Sequence, residues 1–118
     1  MQFAELIRNR SVAYLQPSAT KVGGITEYEK IRKLNGAATL SMALHSPYFG
    51  PGYLATLQLA AVDEFFSIFE YLYIQPETWL YRDFPLPRKG QIRIPDKPGL
   101  GMDPDPEMMA RYRVNRNI

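Results

Sequence analysis

Few side chains in this sequence could do chemistry. Histidine occurs once, at His45, and cysteine is absent. Without cysteine there is no disulfide, no thiolate nucleophile and no Cys-ligated zinc. An imidazole titrates near neutrality and can take up or deliver a proton, although a lone histidine also serves as an ordinary hydrogen-bonded residue. Residue type alone leaves both readings open. Asp103, Asp105 and Glu107 form an acidic cluster, but Pro104 and Pro106 place it at a helix start. There carboxylates cap backbone amides and meet the positive end of the helix dipole, so no metal ligand is assigned. Gly23-Gly24 lacks the flanking glycine, lysine and hydroxyl pattern of a phosphate-cradling loop and reads as a turn. Phe65, Phe66, Phe69, Tyr71 and Tyr73 read as core packing rather than a base-stacking platform.

The elements that would position these groups follow from apolar spacing. Phe3, Leu6 and Ile7 keep helical spacing, and Val12 to Leu15 forms a short buried-strand run. Thr26 with Glu29 three residues on gives a capping-box signature, Tyr28, Ile31 and Leu34 mark one helix face, and Asn35-Gly36 is a helix stop. Leu40 to Leu44 is a second strand, directly followed by His45. A loop rich in proline and glycine, from Pro47 to Gly52, leads into a helix over Tyr53 to Val62, and Ser67 to Leu72 is a third strand. The first 74 residues thus alternate β, α, β, α, β at the spacing of parallel-sheet units. Six of the ten prolines lie after Asp83, so residues 75–118 are expected to be mostly irregular, with an extended piece at Gln91 to Ile94 and a helix from Pro106 to Tyr112. Residues 1–74 are read as the βα unit and 75–118 as an extension packing back on it or on a partner.

The chain has 118 residues, 46% of them apolar, and a net charge of +2. That is enough for one compact α/β domain and far below the roughly 250 residues of a closed (β/α)8 barrel. Basic residues are dispersed, so no nucleic-acid partner is expected. The longest apolar run, around Leu54 to Val62, is too short for a membrane span. Residues 1–10 lack the layout of a secretion signal. With no cysteine, a soluble cytoplasmic protein is expected.

Taken in order, the segments resemble one family. Gln16 to Glu27 resembles the stretch "QPD-x-T-x-VGGIT-E" at the sixth barrel strand of mandelate racemase/muconate lactonizing-type members of the enolase superfamily. Leu44-His45-Ser46 resembles the end of the seventh strand, and Gly52 to Val62 the helix that follows it. Ile68 to Tyr71 resembles the eighth strand, and Ile94 to Met102 the near-terminal "VPDGPGLGV" segment. The resemblance covers nearly the whole chain and implies a partial (β/α)8 barrel of about three parallel strands with flanking helices and an irregular, proline-rich C-terminal segment. It makes His45 and Glu70 the catalytic residues. His45 would be the acid or base that moves a proton alpha to a carboxylate, and Glu70 would contact the substrate carboxylate or stabilise the intermediate. Both should emerge at one end of the sheet.

Ser18 stands where racemase- and dehydratase-type members carry the aspartate that orients this histidine, so the resemblance implies a damaged dyad; the alternative is that Ser18 merely caps the strand end. Lys21 is expected as a solvated surface residue, the alternative being that it faces the active-site mouth. The magnesium of full-length members is held by carboxylates of strands three to five, and a lysine-containing base motif lies on strand two. Neither segment is in this sequence, so no cofactor-binding or metal-ligating residue is assigned. The expected function is that of a truncated acid-sugar dehydratase- or racemase-like C-terminal domain, inert alone. The alternative is one half of a split magnesium-dependent enzyme completed by a complementary barrel chain, or a module that self-associates through its open sheet edges. An acid-sugar substrate is expected only if the barrel is completed.

Overall fold

A computed structural model describes residues 2–114. The elements are α1 (Gln2–Asn9), β1 (Tyr14–Leu15), α2 (Ile25–Asn35), β2 (Ser41–Leu44), α3 (Pro51–Val62), β3 (Phe66–Phe69) and α4 (Pro106–Arg111). The three strands form one parallel sheet in the order β1-β2-β3. Leu15 pairs with Met42 and Leu44 with Phe69, and a bulge interrupts the β2–β3 register between Met42 and Ala43. This is the α/β arrangement read from the sequence. Among the described residues no helix is long and apolar enough to cross a membrane.

The core has two parts. Leu15, Tyr28, Ile31, Met42, Leu44 and Leu59 lock the sheet to α2 and α3. Tyr53, Leu54 and Leu57 of α3 meet Tyr81 and Phe84 of the C-terminal segment. The helix α3 (PGYLATLQLAAV) carries no charged residue, so it can bury opposite faces at once. Trp79 stacks on Phe84 at 4.4 Å between ring centroids, and Phe84 lies 4.7 Å from Tyr53. The Arg82 guanidinium, 2.6 Å from Asp105, holds that carboxyl below the usual carboxylate range. Asp105 also accepts from the Glu107 backbone N–H at 2.9 Å and so caps α4, as the acidic cluster suggested.

Several local expectations are corrected. The capping box at Thr26 and Glu29 does not form. Gly24, at φ 106°, is the N-cap, a backbone conformation suited to glycine, and the helix therefore starts at Ile25. Glu29 instead pairs with Arg32 at 2.8 Å. Gly36 is right-handed, and α2 is terminated by the buried amide of Asn35, which donates to Leu40 O at 2.7 Å and accepts from Leu40 N at 3.0 Å. The strand after Phe65 stops at Phe69 rather than Leu72, because its neighbour β2 ends at Leu44 and offers no ladder partner beyond the Glu70 N–H bond to Leu44 O, 3.1 Å. The strand near the N-terminus shortens to two residues for the same reason, since β2 alone pairs with it. Of the extended piece expected at Gln91 to Ile94 only Gln91 pairs, in an isolated antiparallel bridge with Arg88 that closes a tight turn at Lys89 and Gly90, both at positive φ. Phe66 and Tyr73, expected in the core, are 38% and 85% exposed, and Leu34 is also exposed.

Candidate functional site

His45 is the residue after β2, and Glu70 the residue after the adjacent parallel strand β3. Parallel pairing puts both at the C-terminal edge of the sheet, as expected, and the side chains meet there. His45 Nδ1 lies 2.5 Å from Glu70 Oε2. The backbone holds the pair from both sides: His45 N–H donates to Pro17 O at 3.3 Å, and Glu70 N–H to Leu44 O. Gln16, at the end of β1, adds a longer bond from Nε2 to Glu70 Oε2 at 3.4 Å. A partly exposed pair of this kind contributes at most about 1 kcal/mol to stability, so its consequence is orientation of the ring.

The other edge of the imidazole faces Lys21, whose Nζ is 3.3 Å from His45 Nε2. Lys21 rides on a tight loop after β1, in which the Lys21 and Val22 N–H groups donate to Ser18 O and Gly24 N–H to Ala19 O. That loop packs closely on the first turn of α3. A Cβ at Gly52 would come within 2.6 Å of Thr20 Cγ2, so a larger residue there would force the Thr20 side chain to shift. Lys21 is exposed, as expected, and the loop also turns its ammonium toward the histidine.

Ser18 is buried and turned elsewhere. Its hydroxyl is 2.6 Å from the Tyr48 hydroxyl and 3.0 Å from that of Thr20. Tyr48 in turn meets the His45 ring edge-on, with centroids 6.1 Å apart. The carboxylate neighbour of His45 is thus Glu70, whereas Ser18 is engaged elsewhere. A cleft of 590 Å3 opens beside these groups, lined by Gln16, Ser18, Lys21, Val22, Ile31 and His45 among others. Sequence reasoning overlooked Gln16 and Tyr48. Gln16 lay in plain view beside Ser18, whereas nothing in the sequence marks Tyr48, which reaches Ser18 from 30 positions away.

Chemically, the arrangement is an imidazole held on one nitrogen by a carboxylate, with the other nitrogen presented to a cation and a cleft. Such a ring can carry a proton between its free nitrogen and a bound molecule. Among the described residues no group of three or more histidine, aspartate and glutamate side chains could hold a metal ion. The donor set of these described residues does not fit magnesium.

Comparison with known proteins places this geometry in context. Residues 1–108 match the family described as enolase C-terminal domain-like. A D-galactonate dehydratase family member of Enterococcus gallinarum is 32% identical over 115 residues, which are 94% of this chain and 29% of that protein. A mandelate racemase/muconate lactonizing enzyme-like protein from Rubrobacter xylanophilus superposes with a TM-score of 0.79 at 29% identity, over 95% of this chain and 29% of that one. An enolase from Pantoea ananatis with bound D-gluconate and magnesium gives 0.76 at 28% identity, over 92% of this chain and 27% of that one. The chain therefore spans less than a third of the length of these relatives. It belongs to the enolase C-terminal domain-like family of the enolase superfamily, and its three parallel strands correspond to the C-terminal part of such a barrel.

Proposed function

We propose that this polypeptide carries the acid/base histidine of an acid-sugar dehydratase- or racemase-like barrel and is catalytically inert by itself. The observation that carries the reading is the meeting of His45 and Glu70 at the C-terminal ends of adjacent parallel strands, the end at which barrel enzymes gather their reacting groups. The relatives point to the substrate class, being a galactonate dehydratase family member and a protein holding D-gluconate and magnesium. Inertness follows from what an enolisation demands. Abstracting a proton alpha to a carboxylate builds negative charge on that carboxylate, and the electrostatic stabiliser of that charge is usually the largest catalytic contribution. The described side chains offer His45 and Lys21 at the cleft, with Glu70 against the histidine, and no carboxylate cluster that would place a divalent cation there. The cysteine-free composition is compatible with a cytoplasmic setting.

A second reading is favoured by one observation. The outer edges of the sheet, β1 and β3, carry exposed apolar side chains, with Tyr14 at 51% and Ile68 at 55% exposure. These edges would receive the strands of a complementary barrel chain or of a second copy. Calorimetric titration with magnesium, with and without galactonate, tests the first reading. No saturable uptake is expected at millimolar magnesium; saturable uptake that disappears in Glu70→Ala or His45→Ala would overturn it.

A further inference from the structure

The geometry points to a clamp on His45 in which Glu70 and Lys21 are positioning residues: Glu70 holds the Nδ1–H proton, and the Lys21 ammonium covers the Nε2 lone pair. Three observations carry it. Glu70 Oε2 is 2.5 Å from Nδ1, and its carboxylate can only accept there unless it is itself protonated. Lys21 Nζ is 3.3 Å from Nε2, and an ammonium can only donate. A neutral imidazole satisfies both neighbours in one tautomer alone, the one with its proton on Nδ1. Ser18 takes no part, because its hydroxyl is engaged by Tyr48 and Thr20.

The clamp has two consequences for the site. The ring needs no carboxylate at position 18, since Glu70 reaches it from the neighbouring strand. Glu70 is therefore committed to the histidine rather than to a bound molecule. The nitrogen that would take a proton is at the same time masked, and it becomes available only when Lys21 swings away, for instance toward an anionic group entering the cleft. Lys21 makes no ion pair with a carboxylate among the described residues, so no competing partner holds it back from such a move. This inference rests on the reading of His45 as the proton-handling group, but its test uses no substrate or magnesium, so it can fail while that reading stands.

The sequence offers an unusually clean probe, because His45 is the only histidine. Nitrogen-15 spectra of the full chain, taken at about pH 8.5, where an unperturbed imidazole is neutral and an unperturbed lysine charged, report which ring nitrogen carries the proton. The clamp predicts a pyrrole-type Nδ1 and a pyridine-type Nε2 in the unmodified chain. It predicts a shift toward the Nε2–H form in Glu70→Ala, with partial retention in Glu70→Gln, whose amide oxygen still accepts. Acylation of the ring by diethyl pyrocarbonate, whose carbonyl the free nitrogen attacks with loss of ethyl carbonate, should be about threefold faster in Lys21→Met, the weight of one modest hydrogen bond. An Nε2–H tautomer in the unmodified chain overturns the clamp without recourse to any variant. An unchanged tautomer in folded Glu70→Ala removes the role of Glu70, and an unchanged acylation rate in Lys21→Met removes that of Lys21.

Discussion

Replacing Tyr28 by phenylalanine should destabilise the fold by about 2 kcal/mol, although the change deletes a single oxygen. Tyr28 is fully buried in α2, and its hydroxyl donates a hydrogen bond to Oδ2 of Asp63, a residue 7% exposed. The other carboxylate oxygen accepts from the Phe65 backbone N–H at 2.9 Å. Asp63 is the C-cap of α3, and Phe65 O receives the Met42 N–H at 2.8 Å, so this pair fixes where β3 starts along β2. Phenylalanine would keep the ring among Ile31, Leu44 and Leu59, leaving the apolar burial nearly unchanged. What is lost is a hydrogen bond to a charged acceptor, about 1.5–3 kcal/mol, because the Asp63 oxygen stays buried without a partner. With a urea m value of about 1.3 kcal/mol/M for a chain of this size, the midpoint should fall by about 1.5 M. Chemical unfolding followed by circular dichroism reads this directly. In the double variant with Asp63→Ala the two costs should not add, since each change removes the same bond. A midpoint shift under about 0.3 M would mean that water already satisfies Asp63 and would refute the reasoning.

Three further outcomes follow from other parts of the molecule. Burial pushes the Tyr28, Tyr53 and Tyr81 phenols up, with the Asp63 hydrogen bond adding to the effect at Tyr28. The folded chain keeps protons that the unfolded chain releases, so their stabilisation is complete below the unfolded phenol value of about 10 and declines as pH rises beyond it. The share of tyrosinate absorbance that belongs to these buried phenols should therefore appear only with loss of the helix signal above about pH 10; ionisation of all eight tyrosines with the helix signal retained would contradict this. Asn35→Ala should cost about 2 kcal/mol by thermal unfolding, because it orphans both backbone groups of Leu40 at the end of α2, and an effect below about 0.5 kcal/mol would show that another contact ends the helix. Ile68→Lys, on the exposed β3 edge, should change stability by no more than about 0.5 kcal/mol and weaken self-association in sedimentation at high micromolar concentration; undiminished association would place the contact elsewhere.

The alternation of strand and helix was legible because its signals are periodic: Leu40 to Leu44 and Tyr53 to Val62 differ in length and pattern, and both form the elements they suggest. Element ends were less legible, since they depend on partners distant in sequence. Nothing local to residues 67–72 reveals that β2 stops at Leu44 and leaves the third strand without a ladder partner past Glu70. The helix cap at Gly24 could have been seen, because the Gly23-Gly24 pair was recognised as a turn, but the Thr26 and Glu29 spacing offered a competing start. At the site, strand order and parallel pairing bring His45 and Glu70 to one end, so that part followed from the resemblance. Their direct contact did not. Serine at position 18 suggested a histidine without a carboxylate partner, and only the side-chain geometry of the neighbouring strand supplies Glu70 in its place. The approach of Lys21 was equally hidden, since it depends on a tight loop that packs closely against Gly52 of α3.

The most direct test of the proposed function is deuterium exchange at the carbon alpha to the carboxylate. Galactonate, gluconate and related acid sugars would be incubated in deuterated water with magnesium and the purified chain, and followed by proton NMR beside the His45→Ala variant. The arrangement of His45, Glu70 and Lys21 without a metal-holding cluster predicts no exchange above the protein-free rate in either sample. Exchange catalysed by the chain and abolished in His45→Ala would contradict the inert reading and make this polypeptide an enzyme in its own right.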